Sequence, residues 1–495
     1  MTSTGQGAIA QLAERVAAVR LDDFSQKAVE PAKLILLDTL GCGFAARGDE
    51  CAGAVLATVE AFGEAPHCTL IGHTQRTSAP SAVLANGTLI RVLDLNDYVV
   101  GADAASGARG GHPSDNIPVA LAAAELSGAS GRELLAAILL GYEIYGRGKT
   151  LMDAHSPWDG ISISGLAAPA MAGRLLRLDH ERLAHAIALS AARAPTPVGV
   201  REGAISAAKS LANALIAQNG MQAALLAARG VTGPLDLFEA ERGLRTVFAH
   251  RPDTAAEILG APLPADSFIN KVAVKAYPCF AGAQSAVAAA LALHRLIEGD
   301  LSRLAGTIRV TLADLPIVRR QMSDPGRIKP QSREAADHSL QYLIAIALID
   351  GSFGLAQFEG ERWNDPAVLA LIDRLDMRTD TELARRGGEF YPCALQAADR
   401  SGEPHRVEVL RPPGVSPDGL DATGITEKFT RLAEESLTPG QRDRIIDAVM
   451  ALDTAPRCDQ LMRTLAGDAH ASRAKRSHYA GGLTQLPSAK REDKK

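Results

Sequence analysis

Across residues 8–229, one helical-period apolar stretch follows another, with only short Gly- and Pro-bearing breaks between them. Apolar side chains recurring every three to four positions give each stretch one core-facing side. The stretches are 8–19, 32–46, 79–93, 117–126, 131–145, 166–176, 180–192 and the long, Ala-rich 204–229. Pro31 suits a first helical turn. Aromatic residues make up only 4% of the 495 residues. Small Ala side chains and few rings point to closely packed helices and away from a β-sandwich. No fixed-period repeat stands out.

The pattern changes near Asn270. A helix at 284–297 precedes an alternating strand at 306–312, and a second helix is expected at 335–349. Segments 391–397 and 406–410 read as a hairpin around Asp399-Arg400-Ser401-Gly402, and Arg411-Pro412-Pro413-Gly414 reads as a boundary. Helices resume at 426–435 and 439–452. The chain is longer than one core usually fills. The expected fold is mainly α: a large all-helical domain built from both chain ends, 1–270 and 415–470, interrupted by a smaller α+β domain at 271–414. Ligand sites favour such interfaces.

The net charge is −5. The segment 471–495 carries seven Lys/Arg against two acids, +5, so residues 1–470 carry −10. That segment is expected to be a flexible, solvated basic tail. An acidic body makes nucleic acid an unexpected partner. Residues 1–10 hold no basic stretch followed by an apolar one, and no apolar run approaches the roughly 20 residues that span a bilayer. The six Cys (Cys42, Cys51, Cys68, Cys279, Cys393, Cys458) form no CxxC pair. Zinc, redox and iron–sulfur readings therefore lack support. The expectation is a reduced, cytoplasmic protein with no membrane partner.

The densest chemistry lies at 86–118. A helical stretch leads into Asp94-Leu95-Asn96-Asp97; then come Gly101, Gly107, Gly110 and Gly111, and His112-Pro113-Ser114-Asp115-Asn116-Ile117-Pro118. Asp94 and His112 form a candidate acid/base pair, since His titrates near neutral pH. They equally suit bland roles: Asp94 bonding a helix end, Asp115 or Asn116 capping the next helix. A metal held by Asp94, Asp97 and His112 is the weaker alternative, so no metal and no cofactor are expected. Lys271 and Lys275 flank the expected domain boundary, and Arg327 and Lys329 lie near it; with Arg201 and Lys209 they form a set of cations suited to a polycarboxylate. Lys209 lies among Ala207, Ala208, Leu211 and Ala212, where a buried ammonium needs an anion. In Asp337-His338-Ser339-Leu340-Gln341-Tyr342, a continuous helix puts His338, Gln341 and Tyr342 on one side, either offering the Tyr342 hydroxyl to the cleft or packing it in the core. GxSxG, GxGxxG and Walker motifs are absent.

Leu93-Asp94-Leu95-Asn96-Asp97, His112-Pro113-Ser114-Asp115-Asn116, Lys275-Ala276-Tyr277-Pro278 and Asp337-His338-Ser339-Leu340-Gln341-Tyr342, in this order, resemble the MmgE/PrpD family over about residues 8–465. That family includes 2-methylcitrate dehydratase, cis-aconitate decarboxylase and iminodisuccinate epimerase. The resemblance implies a helical body with an inserted α+β lid, usually as a homodimer. It implies Asp94, His112, Lys209, Lys275 and Tyr342 as catalytic residues, with Arg201, Asn96, Asp97, Ser114 and His338 binding substrate. The runs around His112, Arg201 and Ser323-Asp324-Pro325 look more like the dehydratase branch. The chain departs from the family pattern at Tyr98, where Thr is common. It also departs at Asp159 after Trp158, and after Tyr277-Pro278, where a His is common and Cys279-Phe280-Ala281 stands.

The implied activity is a metal-independent hydro-lyase acting on a tricarboxylic hydroxy acid of the 2-methylcitrate or citrate type. Asp94 and His112 would share base and acid work, with Tyr342 as a second donor. Lys209 and Lys275 would face the developing enediolate and Arg201 a remote carboxylate. The alternatives are a cis-aconitate-type decarboxylase, an iminodisuccinate-type epimerase and a non-enzymatic helical scaffold.

Overall fold

The computed structural model describes residues 7–100, 111–152, 156–203, 205–244, 254–264, 266–387, 390–414 and 420–467. Helix accounts for 61% of the structure, about twice the share of ordinary globular domains. The fold is mainly α with small sheets. The expected tail at 471–495 and Gly101, Gly107 and Gly110 lie outside the described residues.

The body helices are α1 (Ala8–Ala18), α2 (Gln26–Ala45), α3 (Glu50–Ala61), α4 (Ala79–Arg91), α5 (Ile117–Ser127), α6 (Gly131–Leu151), α7 (Ser164–Leu175), α8 (His180–Ala191) and α9 (Ala208–Ala228). Helix α2 starts earlier than its periodicity suggested, so Pro31 lies beyond the first turn. Helix α9 packs on α4, α7 and α8. Close approach is what the small residues permit. A Cβ on Gly87 would meet the Ala214 Cβ at 3.0 Å, and one on Gly220 the Ala168 Cβ at 2.5 Å.

Buried apolar side chains fall into two large clusters, beside a small one of Ile161, Ala194, Ala212 and Ile216. One spans positions 8–274 and 425–465, and so draws on both chain ends; the other spans 279–397. The second cluster holds α11 (Gln284–Leu296, with α10 being Ala255–Gly260), α12 (Leu340–Asp350) and a four-stranded sheet. After two-residue β1 (Cys68–Thr69) and β2 (Arg76–Thr77), the strands β3 (Asp97–Val99) and β4 (Val272–Val274) pair antiparallel. The larger sheet has the order β6 (Leu375–Asp380), β5 (Leu304–Ala313), β7 (Cys393–Asp399), β8 (Pro404–Val409). Strand β6 runs parallel to β5, and the other pairs are antiparallel. The hairpin was expected; the parallel β6, with its half-exposed Leu375-Asp376-Met377-Arg378, was not.

The helix expected at 335–349 is broken. A short helix Arg333–Ala336 ends, Asp337-His338-Ser339 leaves the helical path, and α12 restarts with the Ser339 hydroxyl capping the Tyr342 N–H. Capping satisfies a helix-start donor and fixes the break. After the second cluster, α13 (Ala422–Leu432) returns to lie on α2, and helices Pro439–Met450 and Asp459–Leu465 follow it.

Candidate active site

Helix α4 ends at Arg91, and the following turn holds Asp94 in the left-handed region, φ 50°. A residue with a Cβ adopts this at a cost, so its surroundings must fix it. Strand β3 then starts, with Asp97 opposite Val274. The next residue after β4 is Lys275, delivered beside the Asp94 turn. The first turn of α9 supplies Lys209, and the break before α12 supplies Asp337 and His338.

These segments converge on one carboxylate. Lys275 Nζ lies 2.6 Å from Asp94 Oδ1 and 2.9 Å from the Asp94 carbonyl oxygen. Lys209 Nζ lies 3.2 Å from Asp94 Oδ2 and 3.6 Å from Asp337 Oδ1. Arg91 donates Nη1–H to Asp94 Oδ1, and its Nε lies 3.8 Å from Asp115 Oδ2. Arg91, Asp94, Lys209 and Lys275 are each 1% exposed.

Burial alone would raise the Asp94 pKa. The Arg91, Lys209 and Lys275 cations reverse this and hold it well below the usual carboxylate range. The same burial lowers Lys209 and Lys275, which Asp337 and Asp94 partly offset. An ammonium so placed gives up a proton more readily than one in water.

His112 starts the 3₁₀ turn Pro113–Asn116. Its Nδ1 meets the Asp97 carbonyl oxygen, which can only accept. Nδ1 therefore carries the proton, and Nε2 keeps its lone pair. Burial, with Arg91 and Lys275 nearby, holds the ring well below its ordinary pKa. His112 is a neutral base.

His338 stacks on Phe280 at 5.4 Å between ring centroids. Its Nδ1 contacts Asp337 Oδ1, and its Nε2 lies 3.6 Å from Asp94 Oδ2. Burial and Lys209 push its pKa down to about 4. At neutral pH the ring is neutral: Nδ1–H donates to Asp337, and the unprotonated Nε2, 3.6 Å from Asp94, makes no hydrogen bond there.

The structure thus brings Asp94, His112, Lys209, Lys275 and His338 to one place. Tyr342 stands apart: its hydroxyl donates to the Gln357 carbonyl, and its ring packs near Phe358 and Trp363 in the second cluster. With the helix broken at 337–339, Tyr342 no longer shares a side with His338, and the cleft role falls away.

Asn96, Asp97 and Ser114 are also buried and already engaged. Ser114 Oγ donates to Asp97 Oδ1 at 2.6 Å, Tyr142 OH to Asp97 Oδ2 at 2.8 Å, and Asn96 Nδ2 to both Ser114 Oγ and Asp115 Oδ1 at 2.9 Å. Burial pushes Asp97 up to about 7 and Asp115 up to about 6. This network stands behind the His112 and Asp94 turns.

Arg201 gives its Nε–H to Asp159 Oδ2 at 2.7 Å, while Asp159 Oδ1 accepts from the Ile161 N–H. Arg327 holds the Arg201 carbonyl through Nη2. Cys279 accepts from Gln284 Nε2.

Sequence reasoning passed over Arg91, Asp115, Tyr142 and Asp337 as site residues. An Arg three residues before an Asp at a helix end was the available signal for Arg91. The open groove along α13, lined by Thr423, Thr426, Thr430 and Arg431, contains none of these groups.

The MmgE/PrpD N-terminal domain matches residues 10–257, and the MmgE/PrpD C-terminal domain matches residues 277–454. The cis-aconitate decarboxylase-like protein oryM of Aspergillus oryzae is 24% identical, over 94% of this chain and 99% of its own. The cis-aconitate decarboxylase of Homo sapiens is 24% identical over 91% of this chain and 92% of its own. The 2-methylcitrate dehydratase of Cupriavidus necator is 28% identical over 72% of this chain and 75% of its own.

Proposed function

The chain belongs to the MmgE/PrpD family, and from that premise we propose a metal-independent lyase that dehydrates a tricarboxylic hydroxy acid of the 2-methylcitrate or citrate type. The observation that carries the reading is the convergence of Lys209 and Lys275 on Asp94 beside a neutral His112. The His112 Nε2 lone pair takes the proton α to a substrate carboxylate. The electrons form the C=C bond as the β C–O bond breaks. Lys275 faces the enediolate that develops on the carboxylate. Lys209 gives a proton to the departing hydroxide, which leaves as water. Both Asp94 oxygens are already engaged by Arg91, Lys209 and Lys275; its part is to hold the two ammonium groups. Arg201, with Nε fixed by Asp159, takes a remote carboxylate through its other N–H groups.

The ligand atoms of Asp94, Asp337 and His338 lie within 4.8 Å of one another. A divalent cation there would face Lys209, Lys275 and Arg91 at contact range, which favours the metal-independent route.

A second reading, decarboxylation of cis-aconitate, is favoured by the fuller coverage of the decarboxylase relatives. It would reuse the same cations, with a C–C bond breaking and CO₂ leaving. One experiment separates the readings. Purified protein with EDTA is followed by NMR on 2-methylcitrate, citrate, cis-aconitate and iminodisuccinate in parallel, with CO₂ detection and D₂O controls. Unsaturated product without CO₂ supports dehydration. CO₂ release supports the second reading, and deuterium uptake without net loss supports an epimerase. No turnover on any of them, or turnover only with added metal, overturns the proposal.

A further inference from the structure

We infer that Lys428 is a positioning residue, which fixes from α13 the strained turn carrying Asp94. Lys428 lies on α13, 333 residues from its partner Leu95, whose carbonyl oxygen accepts from Lys428 Nζ at 2.8 Å. The same Nζ lies 2.6 Å from Asp38 Oδ1 on α2, and the two side chains are only 6% and 1% exposed. The reach depends on close helix contact: a Cβ on Gly41 would stand 3.3 Å from the Phe429 Cα, so glycine there lets α13 settle onto α2.

Lys275 bonds the Asp94 carbonyl, and Lys428 bonds the next one, that of Leu95. Two consecutive carbonyls of one turn therefore each receive an ammonium from a distant segment. Asp94, which carries the first of these carbonyls, has φ 50°, a conformation that persists only where neighbours enforce it. Stability is a weak reason for the Lys428–Asp38 pair, because a buried ion pair gains little over well-packed apolar residues. What the pair supplies is a charged donor at a fixed point under the turn. Asp94 in turn places Lys209 and Lys275, so a displaced turn misplaces both. The kinetic part of this inference rests on the lyase reading above.

The test uses Lys428→Met, which keeps the stem and loses the ammonium, and Lys428→Arg, which keeps a charged donor. The double variant Asp38→Leu/Lys428→Met removes the buried charge left behind if the single variant fails to fold. Two readouts are taken: amide hydrogen exchange over residues 92–98, and kcat and KM on the wild-type substrate. The expected result is faster exchange at 92–98 and kcat at least roughly tenfold lower in the Met variants, with KM within about threefold and partial recovery in Lys428→Arg. Wild-type exchange and kcat in a folded Met variant, or an Arg variant worse than Met, overturns the inference and leaves Lys428 a packing residue. A wild-type chain with no turnover overturns the lyase reading alone; the exchange measurement then decides the tether.

Discussion

Lys275 holds Asp94 twice, at the side chain and at the main chain, with Nζ 2.6 Å from Oδ1 and 2.9 Å from the carbonyl oxygen. One ammonium thereby sets both where the carboxylate points and how the turn beneath it is folded. The arrangement ties β4, which delivers Lys275, to the end of α4. It makes Asp94 the electrostatic hinge of the site.

Asp94→Asn should destabilise the protein by about 3–5 kcal/mol, the usual cost of stripping the partner from a buried ion pair. Among the described residues, Lys275 loses its counter-charge and Lys209 keeps only Asp337. The Asp94 pKa is depressed on folding, so its stabilisation is present above the unfolded carboxylate pKa near 4 and lost as pH falls through the lower folded value. Urea unfolding at pH 7 and pH 3 checks both points: a wide gap between wild type and variant at pH 7 that narrows at pH 3. Equal stability at pH 7 would mean that the lysines find other partners.

His112→Ala should lower kcat roughly 10²-fold or more, as loss of a general base does. Because burial and two cations keep the ring neutral well below its ordinary pKa, His112 should add no acid limb to kcat/KM between pH 7.5 and 6. A rate profile over that range reads this directly. A fall centred near 6.5 that vanishes in the variant would show a ring that titrates normally.

How much of this was open to sequence reading differs residue by residue. The helical body follows from periodicity, because each apolar face needs a partner face. Asp94, His112, Lys209 and Lys275 were legible because polar and charged types recur in motifs between apolar runs. Tyr342 was misplaced for a definite reason: spacing arguments assume a continuous helix, and the Ser339 cap restarts it. Asn96, Asp97 and Ser114 show the opposite limit. Polarity in a motif does not separate groups that face a ligand from groups that bond one another in the interior. Lys428 carried no signal, since its partners lie on α2 and at Leu95, far along the chain.

Tyr342→Phe should cost about 1–2 kcal/mol, because the Gln357 carbonyl loses its buried donor. With the hydroxyl turned into the second cluster, kcat should stay within about twofold of wild type. Thermal unfolding and steady-state kinetics together check this. A large loss of kcat at unchanged stability would return Tyr342 to the reaction.

Asp97→Asn should change how stability varies with pH more than it changes the site. The carboxyl is buried, accepts from Ser114 and Tyr142, and is pushed by burial up to about 7. A raised carboxyl pKa means that the folded state holds the proton more tightly than the unfolded state. Its stabilisation is complete below the unfolded pKa near 4 and is lost as pH rises to about 7. Over that window this group alone lowers the unfolding free energy by up to about 1.4 kcal/mol per pH unit. Asp115, pushed up to about 6, adds to the fall over a narrower span and remains in the variant. Asparagine keeps the shape and cannot ionise. Relative to wild type, the variant should therefore gain stability steadily from pH 4 to pH 7 and no further above it. Urea unfolding of both proteins at unit steps from pH 4 to pH 8 measures the difference. Parallel curves would mean that Asp97 is ionised throughout, with the Ser114 and Tyr142 hydroxyls sufficing to hold its charge.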